Sequence, residues 1–110
     1  MKNWTKTQIW NRIQKLESDE AKKISNFLMS DFCMDKIETI LDNGNPYLKD
    51  FTLHDSDHSF RVAERIWEII PPQTREILSE YELALLILSA YLHDIGMAPE
   101  FKKVIIIIAA

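Results

Sequence analysis

Two glycines in a chain of 110 residues leave few places for backbone turns of positive φ, so a fold built from many hairpins is disfavoured and helices are expected. A single cysteine, Cys33, excludes an internal disulfide and points to a reducing compartment. No apolar run comes near the roughly 20 residues that a membrane-spanning helix needs. The opening Met1-Lys2-Asn3-Trp4 leads into no signal-like apolar segment. A soluble, cytoplasmic protein with no membrane partner is therefore expected. A surplus of positive charge is missing too: 13 Lys and Arg against 17 Asp and Glu give a net charge of −4. That balance argues against a protein whose main task is gripping a nucleic-acid backbone. It leaves room for a small anionic substrate, because a metal ion or one arginine can dominate the field inside a cleft.

What the chain does have is apolar residues at helical spacing. Hydrophobic residues make up 46% of it, and three Trp, three Tyr and five Phe supply core volume. Ile9, Ile13 and Leu16 place a first helix over residues 4–16. Ser18 or Asp19 starts a second, carrying Ile24, Phe27, Leu28, Phe32, Ile37, Ile40 and Leu41, with a break expected near Ser30-Asp31. Asp42-Asn43-Gly44-Asn45-Pro46 is a stop. These helices read as packing elements. Asp55-Ser56 then caps a third long helix that runs to about Ile70, where Pro71-Pro72 ends it. A turn or short helix covers residues 73–78. Ser79 and Glu82 form a capping box before the run Leu83 to Leu92, which is apolar nearly all round and is expected to be buried mid-domain, ending at Ile95-Gly96.

Chemistry concentrates at the ends of the last two long helices. His58, Val62 and Ile66 follow at i, i+4 and i+8, which puts the imidazole on the core-facing stripe. Alone, such a histidine is more often a hydrogen-bonded core residue than a ligand. His93 and Asp94 stand side by side where the apolar helix emerges, and an ionised carboxylate there is costly unless paired or bound to a metal. An Arg or Lys partner for Asp94 would explain one of them, and a cationic His93 at the helix C-terminus the other. Neither explains both together with a second histidine 35 positions earlier. Two imidazoles and a carboxylate suit a divalent metal ion such as Mn, Fe, Ni, Co, Zn or Mg.

The segment Phe51-Thr52-Leu53-His54-Asp55-Ser56-Asp57-His58-Ser59-Phe60-Arg61-Val62-Ala63, followed by Tyr91-Leu92-His93-Asp94-Ile95-Gly96-Met97, resembles the HD superfamily of metal-dependent phosphohydrolases. The dipeptide His93-Asp94 is a weak signal alone. An H-S-x-x-V helix followed at this distance by L-H-D-I-G is far more specific. The resemblance covers about residues 51–100 and implies an all-α, HD-domain-like bundle; residues 1–50, outside it, read from their pattern as an N-terminal helical layer. Residues 51–110 would be the N-terminal part of the metal-binding domain, the whole forming one continuous unit incomplete at its C-terminus. It implies that His58, His93 and Asp94 are metal ligands, with His93 and Asp94 catalytic. Family members usually complete the site with a later aspartate, and no aspartate follows Asp94 here: in a complete chain the site is degenerate or filled by Glu100, water or a partner, whereas in a fragment, the expected case, the missing aspartate lies downstream. The variant carrying His54 resembles HD proteins joined to further modules, some of them ATPases. His54 and Arg61 are candidates for substrate binding, against a solvated loop histidine and a solvent-exposed Arg61 paired with Glu64 or Glu68.

Two functions stay open. One is hydrolysis of a phosphomonoester or phosphodiester, most plausibly in a nucleotide. The other is a catalytically inactive HD-type module serving regulation or partner docking. A nuclease acting on single strands would also fit the residues. The closing run Val104 to Ala110 reads as a short β-branched strand with nothing to pair with. Either a further domain or partner covers it, or the chain is a fragment or an altered reading of a longer one; the second is the expectation.

Overall fold

A computed structural model describes residues 3–43 and 55–93. Every regular element among them is helical, so the all-α expectation holds. A 3-10 turn (Asn3–Lys6) leads into α1 (Gln8–Lys15), α2 (Asp19–Met29) and α3 (Met34–Asn43); α4 (Ser56–Ile69), α5 (Pro72–Ile77) and α6 (Glu80–Leu92) follow.

The helix starts obey local chemistry. Thr7, Ser18, Asp55 and Ser79 are extended N-cap residues, and each side chain accepts a backbone N–H of the first turn. Ser79 and Glu82 form the reciprocal capping box read from the sequence. Residues 4–16 are not one helix, however. The Thr7 hydroxyl donates to the Trp4 carbonyl at 2.8 Å and accepts from the Trp10 amide at 3.1 Å, so it closes the 3-10 turn and opens α1 in one residue. The expected break near Ser30 is real: Ser30 is extended and separates α2 from α3.

α6 is the central element, packed against α4 most extensively and against α1, α2 and α3 as well. Leu83, Ile87, Ala90 and Tyr91 are fully buried in it. Around them lie Trp4, Ile9, Trp10, Ile13, Leu28, Met34, Ile40 and Leu41 from the N-terminal elements, and Ala63 and Trp67 from α4. Trp4 and Trp10 meet edge to face with centroids 4.7 Å apart. α6 is not enclosed all round, though: Tyr81 and Leu85 are 57% and 64% exposed. An apolar composition marks a central helix without requiring that each of its faces be covered by the helices described. Residues 95–96, where α6 was expected to stop, and the run 104–110 lie outside the described residues; the described helix ends at Leu92.

Acidic side chains hold helix starts across the fold. Glu38 of α3, itself buried, accepts the Trp4 amide at 2.7 Å, and Asp35 accepts the Trp4 indole N–H at 2.9 Å. Glu64 of α4 accepts both the backbone amide and the side-chain amide of Gln8. Asp42 of α3 accepts the amide of Ser56, the first residue of α4. Orphan amides at helix N-termini and their positive dipole ends explain why carboxylates settle there.

Candidate metal centre

α4 and α6 pack together, with the start of α4 against the end of α6. There the rings of His58 and His93 lie with centroids 5.5 Å apart, inclined at 42°. The two histidines, 35 residues apart in sequence, are thus joined by the most extensively packed helix pair among the described elements. The stripe that α4 buries is Ser56, Ser59, Ala63 and Trp67. His58, Val62 and Ile66 flank it and are half-buried, so the expected core-facing stripe is displaced by one position. The physical reason is side-chain size: Ser59 and Ala63 let α4 approach α6 closely, and a hydrophobicity pattern does not flag a serine. The displacement leaves His58 beside the core with one side open.

His93 is the C-cap of α6 and is exposed. Its Nδ1 stands 2.6 Å from the Ala90 carbonyl oxygen. A carbonyl can only accept, so Nδ1 carries the proton and donates it, and Nε2 is left as the other ring nitrogen. Metal-ligating histidines are commonly oriented this way, with one nitrogen on a backbone carbonyl. The ring separation also fits. With metal–nitrogen bonds of about 2.0–2.1 Å, two ligating imidazoles have centroids about 6 Å apart or less.

Helix electrostatics sort the charges at this end of the pair. The negative end of α6 favours a cation at His93. The positive end of α4 is already filled: Asp55 accepts the His58 amide at 2.9 Å and Asp42 accepts the Ser56 amide at 3.0 Å. A substrate phosphate therefore does not find these two amides vacant. Arg61, one turn beyond His58, is exposed.

Asp94 and His54 lie outside the described residues, as do Glu100 and the run 104–110. Among the described residues no three His, Cys, Asp or Glu side chains gather into a metal-binding group. The described part of the site is the histidine pair. Sequence reasoning missed two residues beside it, Ser59 and Tyr91, whose hydroxyls are buried with no hydrogen-bond partner among the described residues. Burial first, and then the carboxylates Glu38, Glu64, Asp42 and Asp57, push the Tyr91 phenol far above its ordinary range, so it stays protonated. Their signal was polarity inside an apolar stripe. Cys33 is a different matter. It is buried, and burial raises its thiol pKa with Asp35 adding to the effect, so it acts as a small packing residue.

A family model described as HD-CE matches residues 48–109, more than half of the chain, covering α4 to α6 and all three histidines. No curated protein and no solved structure matches.

Proposed function

This chain belongs to the HD-CE family, and from that membership and the paired imidazoles we propose that it is a metal-dependent phosphohydrolase domain. The observation that carries the reading is the His58–His93 pair, with the Nδ1 of His93 committed to a backbone carbonyl. Asp94, next along the chain, is the proposed carboxylate ligand.

A divalent ion bound by His58, His93 and Asp94 would supply a Lewis acid that acidifies water and polarises a phosphoryl oxygen. The chain's own contributions follow from placement. Ala90 fixes the tautomer of His93. Asp55 fixes the first turn of α4, and with it the backbone of His58. Because the amides of Ser56 and His58 serve carboxylates, a substrate phosphate is assigned to the metal and to Arg61, whose guanidinium can take two oxygens at once. His54 is a further candidate for substrate contact. Hydrolysis of a phosphomonoester or phosphodiester, most plausibly in a nucleotide, is the proposed reaction in a cytoplasmic setting.

A second reading has its own observation. Among the described residues the histidine pair gathers no third metal-binding side chain. On that reading the domain is a catalytically inactive helical module for regulation or docking.

Elemental analysis of untagged protein, followed by a nucleotide hydrolysis screen, separates the two. Stoichiometric metal and turnover, both lost in a folded His93→Ala/Asp94→Ala double variant, are the expected results. A well-folded wild-type chain with neither metal nor turnover would overturn the enzyme reading in favour of the module.

A further inference from the structure

We propose that Asp42 is a positioning residue for the histidine pair: from the last turn of α3 it holds the first turn of α4, and so sets where His58 stands against His93. The inference rests on the proposed metal site for its functional meaning, although the positioning itself can be read without metal.

The argument begins with a misplaced charge. Asp42 is the second-to-last residue of α3, where a carboxylate faces the negative end of its own helix dipole. Nothing within α3 explains it. Its Oδ1 accepts the amide of Ser56 at 3.0 Å, across 14 residues of sequence, and so lies at the positive end of α4. Ser56 is buried, so without Asp42 its amide would need another acceptor in a place with little water. Two residues on, the His58 amide is held by Asp55. The first turn of α4 is therefore tied at two points, one by its own cap and one by another helix. Of these two hydrogen bonds, only the second joins the start of α4 to another helix. α3 packs on both α4 and α6, so a link from α3 to the start of α4 sets that start relative to the end of α6, where His93 lies.

Glu64 provides an internal control. It holds the first residue of α1 in the same way, through Gln8, but from a point on α4 nearly two turns past His58. Loss of Glu64 should weaken the fold and leave the histidine pair in place.

The test uses the whole chain, first free of metal and then titrated with zinc. NMR of metal-free protein reads ring-to-ring contacts between His58 and His93 and hydrogen exchange at the Ser56 amide. Asp42→Ala is expected to keep its helical content while losing the ring contacts and exposing Ser56 to faster exchange. Its zinc affinity should fall about tenfold or more, as for outer residues that orient ligands. Asp42→Asn keeps a side-chain carbonyl acceptor and should restore all three signals. Ser56→Pro breaks the link from the other side. Proline suits the first helical position, and Asp55 is already extended, so α4 should still form while the ring contacts weaken. This variant decides the matter if Asp42→Ala does not fold. Glu64→Ala should lower the melting temperature alone. Wild-type ring contacts in folded Asp42→Ala or Ser56→Pro would overturn the proposal, and so would equal loss of contacts in Glu64→Ala. If wild-type protein binds no zinc, the metal reading fails, while the ring contacts in metal-free protein still decide the role of Asp42.

Discussion

The two ends of the α4–α6 pair are built from opposite materials. At one end Trp67 is buried, and the Arg75 guanidinium lies over its ring at 5.0 Å while donating to the carbonyls of Trp67 and Glu68. There an aromatic is packed, a cation is stacked on it, and the last carbonyls of α4 find a donor at its negative dipole end. At the other end stand His58 and His93, with the buried hydroxyls of Ser59 and Tyr91 left without partners among the described residues. Buried polar groups without partners cost stability, whereas apolar burial supplies it. The comparison teaches that one helix pair can divide its labour along its length. One end holds the domain together through apolar burial, and the other gathers polar side chains at a cost in stability.

The largest effect should come from the Trp67 end. Trp67→Ala is expected to lose about 3–5 kcal/mol of unfolding free energy, read by urea denaturation. A loss confined to the histidine end, or none at all, would break the comparison. Next in size is the ligand effect at the open end. Zinc at about 100 times its dissociation constant should stabilise wild-type protein by about 2.7 kcal/mol, and His58→Ala should erase that gain. Trp67→Phe should retain it, which separates binding from packing. A smaller effect, of opposite sign, is expected for Tyr91→Phe. Removing a buried hydroxyl with no partner among the described residues should leave stability unchanged or raise it by up to about 1 kcal/mol. A clear loss would reveal a partner for the hydroxyl and weaken the contrast between the ends.

The smallest effect concerns acid. Hydrogen bonds from Ser79, backbone first and then side chain, hold the Glu82 carboxyl below its ordinary range. A depressed carboxylate adds stability above its unfolded pKa, and that stability is lost as pH falls through the lower folded value. Glu82 is exposed, so the contribution is slight. Glu82→Gln should flatten the acid limb of the stability curve, measured as urea midpoints at neutral and acidic pH, without touching zinc affinity.

Much of this was legible because it is local. Asp55, Ser18 and the Ser79–Glu82 box mark helix starts through hydrogen bonds that span three residues. Pro71 and Pro72 stop α4 by removing a donor and fixing φ. The split at Thr7 was not legible, because a threonine within a helical pattern gives no sign that its hydroxyl closes one turn and opens the next. The buried face of α4 was misplaced by one position because Ser59 packs like alanine there while reading as polar.

For the site, the sequence by itself supplied the residue types, the helix ends that carry them and the family resemblance, all properties of short segments. Only the tertiary structure decided that the start of α4 packs against the end of α6, so that His58 meets His93. It alone tied Glu38, Asp42 and Glu64 to the starts of other helices. The physical reason is range: caps and periodicity act over a few residues, whereas the partner of a carboxylate or an imidazole is chosen by packing, which a linear pattern does not contain.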